Sequence, residues 1–320
     1  MIYDFVSYNF FIIDQTERKL APASRTTGNT GSMHYCNWGN YVHKVSVIVS
    51  TYNWPEALEM VLQSLIDQKD RNFEVIVADD GSGPETAKTI ARMQQKSPVP
   101  IKHFWQEDIG YRLSRVRNGA INLAEGDIVV FTDGDCCLMP DFVSSHRKAA
   151  EPGCFVTGKR VFLKRRFTKL AMEKRFAFHK WPRALLFMLG LSGQCNRPFQ
   201  FMPIPQKDES LWAHQNCWKK AQGCNIAAFR HDILAIGGFD EAYEGHGLED
   251  SDFVLRMIRS GVRRKSVEYS SPVLHLYHGR SIGQRHANKS NNTVYFEELE
   301  ADIHRFQPRK SALIPIAASA

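Results

Sequence analysis

The sequence predicts an α/β fold: one continuous body built on an open, mostly parallel, Rossmann-like sheet with helices on both faces. Three observations carry this expectation. Short β-branched or apolar runs alternate with helix-period segments four times between positions 45 and 132, and alternation of this kind builds parallel sheets. Polar residues follow the first, second and fourth runs, where ligands bind in open α/β sheets. The composition, 43% hydrophobic and 23% charged over 320 residues, is that of an ordinary globular chain rather than a disordered or collagen-like one.

Residues 1–43 hold Ser, Thr, Gly and Asn clusters without a sustained period and read as a loop-rich leader, with no basic n-region or small-residue cleavage site of a signal peptide. Val45 to Ser50 reads as a buried strand. Leu58, Val61, Leu62 and Leu65 follow at helical spacing, with Pro55 placed near the helix start. Phe73 to Ala78 is the next strand, Pro84 to Gln95 a helix, Ile101 to Trp105 a strand, Leu113 to Ala124 a helix and Asp127 to Thr132 a strand. These elements make 44–150 the first half of the body. The second half, 151–285, opens with a strand near Phe155 to Phe162, after a short helix that ends at Ala150. A basic segment, 159–183, comes next, then a region with Pro and Gln from Arg197 to Lys207, and regular structure returns at Gly223. Residues 286–320 read as a C-terminal helix and tail.

Charge and cysteine content narrow the function classes. Forty-one Lys and Arg against 34 Asp and Glu give +7, which favours an anionic partner. The surplus is concentrated, since ten Lys or Arg and a single acid, Glu173, lie between Lys159 and Arg183. With Phe162, Phe167, Phe176 and Trp181 interleaved, this segment reads either as a solvated basic helix face or as a peripheral contact with anionic lipid. It matches no nucleic-acid motif. Seven cysteines without CxxC spacing indicate neither a disulfide framework nor a zinc site, and fit a reducing, cytoplasmic setting. No apolar run reaches the ~18 residues of a membrane span.

The candidate chemistry sits after the strands. Thr51-Tyr52-Asn53 follows the first run and lacks the GxGxxG turn of an NAD-type fold, as well as the Gly-rich basic loop of a nucleotidyltransferase. Asp79-Asp80-Gly81-Ser82 follows the second run and also suits a plain turn. Asp133-Gly134-Asp135 sets two carboxylates on alternate residues at the end of the fourth run. Hard divalent cations take oxygen ligands, so convergent acids there call for Mn2+ or Mg2+. Arg117 shares a helix face with apolar Leu113, Ala120, Ile121 and Ala124. A charge on that face needs an acidic partner or a ligand phosphate. Arg112 sits at the entrance of the same helix, where anions are favoured. In the acidic cluster 247–252, Asp250 heads the stripe formed by Phe253, Val254, Met257 and Ile258, and a desolvated carboxylate there suits a general base. Glu249 and Asp252 are expected on the more exposed face, with Asp252 favoured by the helix dipole. His275 and His278 follow a strand and read either as structural histidines or as ligands, and as ligands they suit Mn2+ or another transition ion better than Mg2+.

Taken in order, these residues resemble the inverting nucleotide-sugar transferases of glycosyltransferase family 2, whose fold is GT-A. Thr51-Tyr52-Asn53, Asp79-Asp80-Gly81-Ser82, Arg117-Asn118 and Asp133-Gly134-Asp135 are similar to the nucleotide half. Gly223-Cys224-Asn225, the Gly-Gly-Phe-Asp turn at 237–240, Glu249-Asp250 and the His-Leu-Tyr-His run are similar to an acceptor half. That half is shared by galactosyltransferases and bacterial chondroitin-polymerase-type enzymes. The resemblance implies that Asp79 and Asp80 hold base and ribose, with Thr51, Tyr52, Asn53 and Arg117 lining that pocket. It implies that Asp133 reaches ribose and metal, that Asp135 and His278 hold the cation with His275 the less favoured ligand, and that Gly223, Asn225 and Arg112 meet the sugars. Asp250, with Glu249 beside it, would be the catalytic base. The implied partners are a nucleotide diphosphate sugar, with a family-level lean to UDP, and a glycan or lipid-linked acceptor. One departure stands out: the acceptor module usually carries Trp where this chain has His246, between Gly245 and Gly247.

Overall fold

The computed structural model describes residues 42–202, 204, 211–212, 215–219, 221–270, 272–279, 289–311 and 313. The body begins at Val42, and almost all of the expected 1–43 leader lies outside the described residues.

The first half alternates as expected: β1 (Val45–Thr51), α1 (Pro55–Ile66), β2 (Phe73–Asp79), α2 (Pro84–Lys96), β3 (Ile101–Trp105), α3 (Leu113–Leu123) and β4 (Ile128–Asp133). Every residue of β1 and β2 is buried, because parallel strands are covered on both faces. Alternation then sorts the side chains. Val45, Val47 and Val49 pack with α1 and α2, whereas Ile48, Ile76 and Ala78 pack with Val116, Ala120 and Ile121 of α3.

The second half contributes β5 (Cys136–Leu138), α4 (Phe142–Ala149), β6 (Cys154–Thr157), β7 (Arg160–Phe162), α5 (Arg165–Lys174) and α6 (Arg183–Leu191). After these come β8 (Ile226–Phe229), α7 (Arg230–Ala235), α8 (Glu249–Arg259), β9 (Arg263–Ser266), β10 (Val273–His275) and α9 (Lys289–Ala301). The seven-stranded sheet runs β3-β2-β1-β4-β8-β6-β9. Strands β1 to β4 are mutually parallel, while β8 is antiparallel to both β4 and β6. The reversal at β8 matters for the site. The residues leading into β8 arrive at the edge where β1, β2 and β4 end.

Two expectations need correction. The run Phe155 to Phe162 is two strands, since β6 joins the large sheet and β7 joins a small sheet of order β5-β10-β7. His275 lies within strand β10 rather than after it. The basic segment contains α5 and the start of α6.

Candidate active site

The loops after β1 and β2 are stitched together. The Asn53 N–H donates to Ser82 Oγ at 2.8 Å, and the Gly83 N–H donates to Asn53 Oδ1 at 2.9 Å. Asp79 is buried, with His103 Nε2 3.0 Å from Oδ2 and the Ser82 N–H donating to Oδ1 at 2.8 Å. Asp80 accepts from the Arg112 N–H at 2.9 Å and from Gln106 at 2.5 Å. Burial still raises its pKa above the usual carboxylate range. Thr51 is buried at the end of β1, and its carbonyl accepts the Asp80 N–H at 3.0 Å. Tyr52 is exposed and donates to Asp108 at 2.9 Å.

The centre of the site is Arg117, only 1% exposed. Its guanidinium reaches Asp250 Oδ1 at 2.6 Å and Asp133 Oδ1 at 3.5 Å, and its Nε donates to Ser50 Oγ at 3.2 Å. It also lies over the rings of Phe239 at 5.1 Å and Phe131 at 5.9 Å. Burial acts to lower its pKa, but the Asp250 and Asp133 carboxylates outweigh that effect and keep it charged. Of the two partners left open by the sequence, acid or ligand, the structure shows acids, and they come from both halves of the body. Asn118 joins the halves as well. Its amide donates to Phe239 O at 2.9 Å and Glu241 Oε1 at 2.8 Å, and its carbonyl accepts the Phe239 N–H at 2.9 Å.

Asp250 is 28% exposed in its side chain. Besides Arg117, it accepts the Gly223 N–H on Oδ2 at 3.1 Å. Glycine is required at 223 because a Cβ there would lie 2.0 Å from Asp250 Oδ2. The carboxylate is therefore laid flat on a backbone turn, with one lone pair per oxygen left for another partner.

Asp135 lies in the turn between β4 and β5, where the chain passes from the large sheet to the small one. Pairing of β10 against β5 sets His275 opposite Cys136, and the Leu276 N–H donates to Asp135 O at 2.8 Å. These contacts bring His275 Nε2 to 3.3 Å and His278 Nε2 to 3.5 Å from Asp135 Oδ2. Burial first, with Arg160 and His278 adding to it, pushes His275 down to about 3, so its ring is the neutral form that ligates metals. Burial, then the Asp133 charge, pushes Asp135 up to about 7. A carboxylate and two imidazoles whose ligand atoms all lie within 4.8 Å of one another suit a transition-type divalent cation. Both histidines join this group, so the structure does not favour His278 over His275.

Two expectations about exposure are overturned. Glu249 and Asp252 are buried, and Asp250 is the more open carboxylate. The cause is local: Leu248 takes a left-handed φ of 73°, Glu249 turns back to accept the Gly247 N–H at 3.0 Å, and Asp252 is held in a buried pair with Arg256 at 2.6 Å. Burial first, and then the Asp250 charge, pushes Glu249 up to about 7. Asn225 is fully buried too, between His146 Nε2 at 2.9 Å and Lys159 O at 3.1 Å. It shapes the turn before β8 and has no open face for a sugar. Arg160, 3.8 Å from Asp133, was hidden in the basic segment, and a second buried group of Asp133, Cys136 and Cys224 had no spacing signal in the sequence.

The glycosyl transferase family 2 model matches residues 46–203, and the galactosyltransferase model described as its N-terminal domain matches 206–279. The GalNAc(5)-diNAcBac-PP-undecaprenol beta-1,3-glucosyltransferase of Campylobacter jejuni is 30% identical over 222 residues, covering 62% of this chain and 70% of that protein. The chain belongs to glycosyltransferase family 2. Other relatives from this family of sequences are longer. Validoxylamine A glucosyltransferase of Streptomyces hygroscopicus subsp. jinggangensis is 27% identical over 243 residues, 70% of this chain, and the match spans about half of that protein, 53%. Chondroitin synthase of Escherichia coli is 28% identical over 70% of this chain and 33% of its own length. Among solved structures, a mannosyltransferase from Pyrobaculum calidifontis in complex with GDP-Man and Mn2+ superposes with a TM-score of 0.56 at 20% identity, covering 82% of this chain and 66% of its own. The family 2 chain therefore has the GT-A fold expected from its sequence.

Proposed function

We propose that this family 2 chain is a metal-dependent, inverting hexosyltransferase. In this reading it moves a hexose or N-acetylhexosamine from a nucleotide diphosphate sugar, UDP-linked, to a hydroxyl of a glycan or lipid-linked saccharide at the cytoplasmic face of a membrane. The product would feed a cell-surface polysaccharide or lipopolysaccharide. The observation that carries the reading is the convergence of Asp135, His275 and His278 beside the Asp133, Arg117 and Asp250 chain, at the edge where β1, β2 and β4 end. The glycosyltransferase names among the relatives and the Mn2+ in the Pyrobaculum neighbour support it.

Asp79, Asp80 and Thr51, with Tyr52 and Asn53 on the adjoining loop, would hold the nucleoside, and Asp133 its ribose. Asp135, His275 and His278 would hold Mn2+ or Mg2+, which stabilises charge on the leaving diphosphate when bound. Asp250 would accept the proton of the acceptor hydroxyl as its oxygen attacks the anomeric carbon. One carbon–oxygen bond forms on one face while the bond to the diphosphate breaks on the other, so configuration inverts. Arg117 and the Gly223 N–H fix the Asp250 carboxylate for this role, and buried Glu249 completes the acceptor side.

The test is Asp250→Asn with a screened nucleotide sugar. Transfer should fall about 10^2- to 10^4-fold, the usual share of a general base, with nucleotide affinity changed by only a few fold. Full turnover by the variant refutes the base, and retained anomeric configuration in the product refutes the single displacement.

A further inference from the structure

We infer that the outer face of α6, together with the exposed side of α5, docks on an anionic lipid bilayer. This surface is separate from the catalytic cluster and goes beyond the proposed reaction. In α6, Leu185, Met188 and Leu191 recur every three residues and are 52%, 58% and 58% exposed, while Leu186 and Gly190 are buried. Phe199, in the short turn Pro198–Phe201 that packs on α6, is 60% exposed, with its ring 5.8 Å from that of Phe187. A row of large apolar side chains on one face marks an interaction surface rather than scattered exposure.

Its charge surroundings select the partner. From Lys164 to Arg197 the sequence has nine Lys and Arg and one acid, Glu173. Lys159, Lys180 and Arg183 are engaged with Glu268, Asp67 and Asp141. Lys164, Arg165, Arg166 and Lys174 are exposed on or beside α5 and make no ion pair with another described residue. The two elements are fastened together, because the Lys164 N–H donates to Gln194 O at 2.7 Å and Leu163 bridges to Cys195. The loop that leaves α6 after Leu191 and the cationic start of α5 therefore adjoin. An apolar helix face bordered by cations is the pattern that binds anionic membrane interfaces. The aromatic residues of the segment take no part, since Phe167 and Phe178 are buried, and Phe176 and Trp181 stack at 5.5 Å against that core. Helix α5 also walls a cavity of about 420 Å³, in which Arg165, Lys169 and Glu173 face Trp54, Tyr277 and His278. Docking through α5 and α6 would thus hold the mouth beside His278 close to the bilayer.

Flotation of the full chain with vesicles tests this directly. Vesicles with roughly 30% phosphatidylglycerol at about 50 mM salt should carry about tenfold more protein than pure phosphatidylcholine, and about 0.5 M salt should remove most of it. The triple variant Leu185→Ser, Met188→Ser, Leu191→Ser should lose about tenfold in binding with an unchanged circular dichroism spectrum. Lys164→Gln with Arg166→Gln should weaken binding and flatten its salt dependence. Absence of flotation, equal binding to neutral vesicles, or a triple variant that floats like the parent overturns the inference. So does a parent dimer that becomes monomeric in the triple variant without any lipid binding, which would assign the face to a second copy.

Discussion

Arg117 and Asp250 meet at 2.6 Å although 133 positions separate them in the sequence. The contact joins the helix that follows β3 to the helix that precedes β9, and Asp133 at the end of β4 completes it. Buried ion pairs do not stabilise folds by default, but removing one partner strands the other. Arg117→Met should leave Asp250 with only the Gly223 N–H and Asp133 with only Arg160, and cost about 1–3 kcal/mol in chemical denaturation. Arg117→Lys should recover much of that stability and little of the turnover, because an ammonium cannot reach both carboxylates in a planar fork.

Gly223→Ala separates positioning from stability. The new methyl would meet the Asp250 side chain, not backbone, so the fold should hold while the carboxylate is pushed off Gly223 along the Arg117 guanidinium. A displacement of roughly 1 Å costs about 100-fold in a positioned catalyst, so kcat should fall by about that factor with a melting temperature within a few degrees of the parent.

Glu249 links stability to pH. Its carboxyl, raised to about 7 by burial and then by Asp250, stays protonated in the native state where the unfolded chain has already released the proton. Native protein thus binds more protons between about pH 4.5 and 7, and stability must fall as pH rises through that window, by about 3 kcal/mol for this group. Glu249→Gln should flatten this slope in urea titrations at acidic and alkaline pH; an unchanged slope would contradict the assignment.

His275→Ala and His278→Ala should each weaken Mn2+ binding, measured by calorimetry or by the Mn2+ electron-spin signal, by about tenfold or more, because each removes one imidazole from the Asp135 group. A His275 variant that binds Mn2+ like the parent would return the site to Asp135 and His278 alone.

Asn118→Ala removes three buried hydrogen bonds to the 237–241 turn and leaves the Phe239 N–H without its partner. A loss of about 2–4 kcal/mol is expected in denaturation, with turnover falling because the Phe239 ring beneath Arg117 shifts.

The first half of the fold was legible because β1, β2 and nearly all of β4 are buried, so β-branched runs and helical stripes alternate without ambiguity. The break between β6 and β7 was not. Phe155 to Phe162 reads as one run, and Gly158 between the two strands has no room for a Cβ because the Asn225 side chain, 67 positions away, occupies that space. The acids of α8 were found, but their exposures were reversed. A helical wheel assumes one buried face, whereas this helix is buried continuously from Asp252 to Met257, so the face that carries Glu249, Asp252 and Arg256 is covered as well. His275 and Asp135 converge through strand pairing, which leaves no mark on local spacing.

The antiparallel β8 has one more consequence. Its lead-in turn ends up alongside the tips of β1 and β4, so carboxylates and imidazoles from both halves of the chain share one rim. Exchanging the stretch after β7 would therefore alter Asp250 and, with His275 and His278, the proposed cation site in one step, so neither side of the reaction can be re-specified alone.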